Sequence, residues 1–307
     1  MTINISGFHL AGSSSGLDTI YRYHHLLDKI IPTWLLVKAD GSLIINYNND
    51  KLNDYIKKDK IVPMLQNNRL DSKVSNELIA NKKSTDYFVK ELIPYLHKEG
   101  YGEICIDIEG VNYQKKKEFT EFIEYVTDVF HQAEIRVSTA IPAKSENNQD
   151  STWSGAYDYS SLGEIVDQII IMAYDFHWPG GPPGPIAPLP WIKDVIDYAI
   201  MEIPMGKICF GLGLYAYDWP INSDNHAKGL VYKQVKHLLE KYNSRIEWDQ
   251  DSETPYFTYN EENIKHEVWL ENARSIAKKI EAINDYNLKS AVFWRLGQGD
   301  PAIWDLF

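Results

Sequence analysis

Short apolar runs rich in β-branched residues alternate along this chain with longer segments in which apolar residues recur at helical spacing. This alternation is typical of parallel strands joined by crossover helices. Eight runs are predicted strands, at residues 3–10, 33–37, 60–65, 103–109, 135–141, 168–174, 207–214 and 289–294. Eight is the strand number of a (β/α)8 TIM barrel, so we predict an α/β protein of this fold class.

The segments between the predicted strands carry apolar stripes suited to one face of a helix. In 84–98, for example, Phe88, Leu92 and Leu96 recur every fourth residue, and 119–130 carries a similar stripe. Residues at this spacing share one face of an α-helix. We therefore expect these helices to pack around the outside of the barrel.

The connection between the seventh and eighth predicted strands is too long for a single helix. It contains a helical pattern at 231–242, followed by strand-like runs at 245–248, 256–259 and 264–269. A last barrel helix is predicted from about residue 271. We therefore predict one domain over 1–307, with a small α+β insertion at 216–270 between strand 7 and this last helix, on the catalytic rim.

Composition narrows the classes of partner. The formal net charge is −12, and the lysine run 115–117 fits a solvated first helical turn, so no nucleic-acid partner is expected. No apolar run approaches the roughly eighteen residues that a membrane-spanning helix needs, so no membrane partner is expected. The apolar run at residues 3–10 is accompanied by neither a basic region nor a small-residue cleavage site, so no secretion signal is expected.

The fourth predicted strand ends in two acidic residues. Because side chains alternate along a strand, Asp107 and Glu109 share one face with Cys105. The two carboxyls lie about 6 to 7 Å apart along the strand, and burial with mutual repulsion should raise at least one pKa. Such a carboxyl can act as a general acid near neutral pH. The other interpretation is a buried acidic pair held by arginine or backbone donors.

Two strands carry a resemblance to a known family. Residues 102–109 resemble the Asp-x-x-Asp-x-Asp-x-Glu signature of glycoside hydrolase family 18, with Asp107 and Glu109 at the last two acidic positions. Gly102 and Cys105 stand at the first two. The segment 171–175, Ile-Met-Ala-Tyr-Asp, is similar to the Met-x-Tyr-Asp segment that lines the sugar site of the same family.

Further segments resemble one branch of that family, the cortex-lytic N-acetylglucosaminidases of spore-forming bacteria. They are the Gly- and Pro-rich loop 178–189 and the segments 212–219, 266–269 and 293–297. The branch often has a neutral residue at the middle aspartate position, so Cys105 is compatible with activity. The resemblance implies a peptidoglycan substrate and a location at the spore coat or cortex. Cys105 and Cys209 lie in apolar runs and are predicted to be buried thiols without a disulfide.

The resemblance also implies a mechanism that retains the anomeric configuration without a protein nucleophile. Glu109 would protonate the glycosidic oxygen while the 2-acetamido oxygen of the substrate attacks the anomeric carbon. Asp107 would orient the acetamide, and the Tyr174 hydroxyl would donate a hydrogen bond to it. No cofactor is expected, and no cluster of metal-ligating residues has a suitable spacing.

Polar and aromatic residues that follow the predicted strands are the candidate sugar contacts. Trp294 is predicted to form the apolar floor beneath the sugar at the cleaved position. The others are Asp175, Tyr217, Asp218, Gln66, Asn67 and Trp178. His9 is interpreted as a structural histidine.

Two alternative functions remain open on the sequence. One is hydrolysis of chitin or of N-glycan cores instead of peptidoglycan. The other is a chitinase-like barrel that binds glycan without cleaving it, which the presence of Glu109, Asp107 and Tyr174 disfavours.

Overall fold

The structure is a computed structural model that describes residues 3–46, 52–223 and 225–307. Its main sheet contains ten strands in the order β2-β1-β15-β9-β8-β7-β6-β5-β3-β4. Adjacent strands are parallel except for β3 and β4. The strands are β1 (Asn4–His9), β2 (Leu27–Pro32), β3 (Leu35–Val37), β4 (Leu43–Ile45), β5 (Met64–Asn67), β6 (Glu103–Asp107), β7 (Arg136–Pro142), β8 (Gln168–Met172), β9 (Ile208–Gly213) and β15 (Ser290–Trp294).

Helices connect these strands and cover the sheet. They are α1 (Ser14–Tyr23), α2 (Leu52–Tyr55), α3 (Ser72–Ala80), α4 (Lys82–Glu99), α5 (Lys116–Gln132), α6 (Tyr159–Ile165), α7 (Leu189–Glu202), α8 (Tyr232–Tyr242) and α9 (Ala273–Asp285). Helix α4 begins after Asn81, whose side chain caps two backbone N–H groups, and ends at Gly100, which adopts φ +80°. A polar N-cap and a left-handed glycine are common helix boundaries.

The second predicted strand was wrong in its bounds. Strand β2 begins at Leu27, pairs with β1 and ends at Pro32. A separate strand, β3, begins at Leu35 and forms a hairpin with β4. The sequence pattern did not predict β2, because Asp28 and Lys29 interrupt its apolar run. Lys29 Nζ donates to Glu103 Oε2 at 2.6 Å, so this charge is paired at the amino end of β6.

The main sheet is curled. Ile30 of β2, from one end of the strand order, forms a parallel bridge with Ile61, just before β5. The backbone N–H of Val62 donates to the carbonyl of Ile30 at 2.9 Å. The carboxyl ends of the parallel strands are thereby gathered at one end of the curled sheet.

Two apolar layers lie on opposite sides of this sheet. The outer layer packs the helices onto the strands and contains the predicted stripe of α4, including Phe88 and Leu92. The inner layer contains Phe8, Met64, Cys105 and other buried residues, and Tyr174 and Trp294 pack against it. Cys105 and Cys209 are both buried and unbonded, as predicted.

A second, antiparallel sheet of five strands lies between β9 and β15 in the chain. Its order is β11-β10-β14-β13-β12, with strands β10 (Ala216–Pro220), β11 (Lys228–Leu230), β12 (Glu247–Asp249), β13 (Thr254–Glu261) and β14 (Ile264–Leu270). Helix α8 packs on one face of this sheet, where Leu230, Val235 and Phe257 belong to a separate small core. Within the described residues, no helix has both the length and the apolar character needed to cross a membrane.

Candidate active site

The two acidic residues of the fourth predicted strand lie where the strand ends. Asp107 is the last residue of β6, and Glu109 follows it at the carboxyl end of the curled sheet. Asp107 is almost fully buried and Glu109 partly so. Both line one cavity of about 270 Å³. In barrels and related sheets, this end carries the catalytic loops.

Gln66 holds one oxygen of Asp107. The two residues are register partners on β5 and β6, and Gln66 Nε2 donates to Asp107 Oδ2 at 2.8 Å. The other oxygen, Oδ1, is buried and has no hydrogen-bond partner among the described residues. An unsatisfied buried oxygen costs free energy, so Oδ1 is ready to accept a hydrogen bond from a ligand.

The pKa values of both carboxyls are raised. Burial, followed by the neighbouring charge of Glu109, raises the pKa of Asp107 well above its usual range, against the hydrogen bond from Gln66. Burial, followed by the charge of Asp175, raises the pKa of Glu109 to about 7. Glu109 can therefore carry a transferable proton near neutral pH.

Asn67 fixes the backbone of Glu109. Its Oδ1 accepts the Glu109 N–H at 2.9 Å, and its Nδ2 donates to the Glu109 carbonyl at 3.3 Å and to the Asp71 carbonyl at 3.1 Å. The side chain is fully buried and does not line the cavity. Asn67, predicted as a sugar contact, instead positions Glu109, because its amide is occupied by backbone groups.

Tyr157 is a supporting residue that the sequence analysis missed. This fully buried tyrosine donates through its hydroxyl to the carbonyl of Ile108 at 3.0 Å, between the two acidic residues. It comes from the connection between β7 and α6, and no local pattern links it to β6.

Tyr174 and Asp175 follow β8 and line the same cavity. Burial, with the charges of Asp107 and Glu109, raises the pKa of Tyr174 well above its usual range, so the phenol stays protonated. Asp175 adopts φ +59° and accepts hydrogen bonds from Tyr215 and, at 2.8 Å, from Tyr217. Burial raises the pKa of Asp175, and these two hydrogen bonds oppose that rise.

Aromatic and apolar side chains form the rest of the cavity wall. Trp294, the last residue of β15, is partly buried and meets Phe8 edge-on with ring centroids 5.2 Å apart. Met64 and Met172 belong to the inner layer and also line the cavity. Trp153 also lines the cavity with 59% of its surface exposed. Trp153 was not predicted as a site residue, although its place in the loop after β7 is a signal that could have indicated it.

Besides Asn67, three of the predicted sugar contacts lie outside this cavity. Tyr217 lines a neighbouring cavity, which shares Asp175 and Trp294 with the first. Asp218 accepts hydrogen bonds from the Tyr259 hydroxyl at 2.6 Å and from His266 Nδ1 at 2.9 Å, and it points to the opposite face of the small sheet.

Trp178 is the third. It is 56% exposed, and its ring lies over Gly180, where a Cβ atom would come within 2.2 Å of the ring. This packing holds Trp178 within its own loop, away from the cavity that contains the carboxyl pair.

A metal centre is not evident in the part of the chain that the structure describes. Within that part, no three His, Cys, Asp or Glu residues are grouped so that they could hold a metal ion.

Known proteins resemble this chain in sequence and in fold. The chain is 32% identical over 248 residues to the "Cortical fragment-lytic enzyme" of Bacillus subtilis strain 168, covering 80% of this chain and 58% of that protein. It is 26% identical to the Bacillus cereus spore cortex-lytic enzyme SleL in its crystal structure, with a TM-score of 0.89, covering 99% of this chain and 73% of the other.

A chitinase from Chromobacterium violaceum shares the fold, with a TM-score of 0.89 and 24% identity over 99% of this chain and 98% of the other. Residues 25–299 match the sequence profile described as Glycosyl hydrolases family 18. That match includes Asp107, Glu109 and Tyr174 and confirms the family resemblance. The chain belongs to glycosyl hydrolase family 18.

Proposed function

We propose that this family 18 glycoside hydrolase cleaves β-linked N-acetylhexosamine glycans, with spore cortex peptidoglycan as its substrate. The observation that carries the proposal is the grouping of Asp107, Glu109 and Tyr174 around one cavity beside Trp294. The similarity to a cortical fragment-lytic enzyme supports the choice of glycan. By the same similarity we propose a location at the spore coat or cortex.

We infer that the main sheet closes into a complete (β/α)8 barrel. The Ile30–Ile61 bridge supports closure, because it brings β2 to β5 and leaves the β3–β4 hairpin as an extension. We further infer that residues 216–270 form an insertion on the catalytic rim. The hydrogen bond from Tyr217 on β10 to Asp175 supports this position.

The proposed reaction begins with proton transfer from Glu109 to the glycosidic oxygen as the bond to the anomeric carbon breaks. The acetamido oxygen of the same sugar attacks that carbon from the opposite face and forms an oxazolinium ion. Glu109, now ionised, accepts a proton from water as the water attacks the anomeric carbon. The oxazolinium ring opens, and the product retains its anomeric configuration.

Asp107 and Tyr174 aim the acetamide in this scheme. The Oδ1 atom of Asp107, which is buried without a partner among the described residues, accepts the acetamide N–H. Positive charge develops on that nitrogen, which lowers the pKa of Asp107 and favours its ionised form, and a buried carboxylate stabilises this charge more strongly than a solvated one. The protonated Tyr174 hydroxyl donates to the acetamide oxygen, and Trp294 packs against the C–H face of the sugar.

Two other functions compete with this one. Hydrolysis of chitin or N-glycan cores would use the same residues and differ only in the glycan bound. A binding protein without activity would not need a proton donor, and the raised pKa of Glu109, about 7, favours hydrolysis.

The test uses three substrates: spore cortex fragments, chitin oligomers and an N-glycan core. Each is incubated with the wild-type protein and with Glu109→Gln, and the products are identified by mass spectrometry. The proposal predicts cleavage of cortex fragments after N-acetylglucosamine by the wild type only. Cleavage of chitin or N-glycan alone would change the substrate, and binding without any cleavage would favour the binding protein.

A further inference from the structure

A second cavity, of about 620 Å³, lies between the small antiparallel sheet and α8. Cationic and imidazole side chains surround it, and they come from α8, from β11 and the residues before it, and from β14. They are Lys228, Lys233, Lys241, His226, His237 and His266. Such a concentration of basic groups is unexpected in a chain of net charge −12.

Two of the lysines lack a described acidic partner. Lys241 pairs with Glu261 at 2.8 Å, and His266 pairs with Asp218 at 2.9 Å. Within residues 3–46, 52–223 and 225–307, neither Lys228 nor Lys233 forms an ion pair within 4.0 Å. The cavity therefore offers two ammonium groups to a ligand, and the imidazoles of His226 and His237 offer further N–H donors.

The floor of this cavity is ordered by stacking and hydrogen bonds. Tyr259 is nearly buried and stacks between Tyr242 and His266, with centroid distances of 4.4 and 4.5 Å. Both oxygens of Asp218 are occupied, one by the Tyr259 hydroxyl and the other by His266. The carboxylate of Asp218 is therefore hydrogen-bonded within the floor of the cavity, and Leu230 and Leu238 form an apolar part of its wall.

Shared lining residues place the basic cavity next to a cavity that adjoins the catalytic one. Asp175 and Trp294 line both the catalytic cavity and the neighbouring one, which runs along β11 past Gly229 and Leu230. Leu230 then lines the basic cavity as well. Because β11 is the edge strand of the small sheet, a group attached to a bound glycan can pass over this edge into the basic cavity.

We propose that the basic cavity binds a carboxylate carried on a side chain of the glycan substrate, away from the bond that is cleaved. This inference rests on the proposed function and refines its substrate class to acidic glycans. Peptidoglycan carries carboxylates on its peptide stems and on any lactyl ether that bears no peptide, whereas chitin carries none. Lys228 and Lys233 form charge-assisted hydrogen bonds to this carboxylate, and the cavity thereby selects peptidoglycan over neutral glycans.

The test compares cortex fragments with the same fragments after their carboxyls are converted to amides. The test variant is Lys228→Gln/Lys233→Gln. The control is Lys117→Gln/Lys278→Gln, which removes the same charge from exposed sites that pair with Glu121 and Glu281. For the wild type and the control, amidation should lower kcat/KM about tenfold, the effect of roughly 1.4 kcal/mol of lost charge-assisted bonding.

The test variant should cleave untreated fragments about tenfold less efficiently than wild type, mainly through a higher KM, and amidation should cause little further loss. It should cleave amidated fragments as well as the wild type does. An equal response of variant and wild type to amidation would overturn the inference while leaving the glycosidase intact.

A binding measurement separates this inference from the proposed function. Calorimetry with the Glu109→Gln protein needs no cleavage and gives Kd for each fragment, with and without the two lysine substitutions. Cleavage of neither fragment by wild type would refute the cortex substrate, and the Kd values would still decide the carboxylate site. Unchanged Kd on amidation or on lysine substitution would refute that site.

Discussion

Replacing Glu109 with Gln should remove activity and at the same time stabilise the protein at alkaline pH. The folded protein raises the pKa of Glu109 from 4.5 to about 7, so folding disfavours its ionised form. At about 1.36 kcal/mol per pKa unit, this rise corresponds to up to about 3 kcal/mol. A glutamine of nearly the same size keeps the hydrogen-bonding capacity and cannot ionise.

The upward shift of the Glu109 pKa determines how the free energy of unfolding changes with pH. A carboxyl whose folded pKa is raised binds its proton more tightly in the folded state, so its contribution to stability is complete below pH 4.5. That contribution is lost as pH rises through about 7. The Glu109→Gln protein should therefore match the wild type near pH 4 and exceed its free energy of unfolding by up to about 3 kcal/mol at pH 8.

Urea unfolding at pH 4, 6 and 8 measures this difference, and initial rates on cortex fragments measure activity on the same samples. The rate should fall by about 10² to 10⁴ if Glu109 is the general acid. Glu121→Gln is the matched control, because Glu121 is exposed on α5 and its ion pair among the described residues is with Lys117 at 3.4 Å. A stability difference that does not grow with pH would refute the burial argument, and retained turnover would remove Glu109 from the mechanism.

Two further predictions concern the groups around Glu109. The alkaline limb of the pH profile of kcat/KM should fall near pH 7. Asp175→Asn should move this limb to lower pH, because the charge of Asp175 helps to raise the pKa of Glu109. An unmoved limb in a folded, active variant would contradict this coupling. Asn67→Leu should lower the free energy of unfolding by about 1 to 3 kcal/mol and lower kcat more than it raises KM, because it removes the hydrogen bonds that hold the backbone of Glu109. Urea unfolding and steady-state kinetics measure these effects. A change in KM alone would indicate that Asn67 is a sugar contact.

Local periodicity predicted the elements whose signal lies within one segment. The alternation in β6 placed Asp107 and Glu109 on one face because that inference needs only neighbouring residues. The same reasoning failed at β2, where Lys29 interrupts the pattern and is neutralised by Glu103, far away in the sequence. A charge that is paired across the fold cannot be distinguished from a solvated one in a single sequence.

The supporting residues of the site show the same limit. Asn67 was singled out by its place at a strand end, yet its role depends on the backbone of Glu109, which only folding brings near. Tyr157 reaches Ile108 from a loop, and no local pattern indicates that contact. Asp218 follows a strand in the sequence but faces away from the cavity, because neighbouring residues on β10 point to opposite faces.

Turnover of two matched β-linked substrates, one with a 2-acetamido group and one with a 2-hydroxyl group, shows whether the substrate's own acetamide is the nucleophile. We expect the 2-hydroxyl substrate to lose at least about 10² in kcat with a much smaller change in binding, because the acetamide acts in the transition state. Asp107→Asn should shrink that difference. Equal turnover of the two substrates would rule out attack by the acetamide, because a protein carboxylate or an activated water would then carry out the attack.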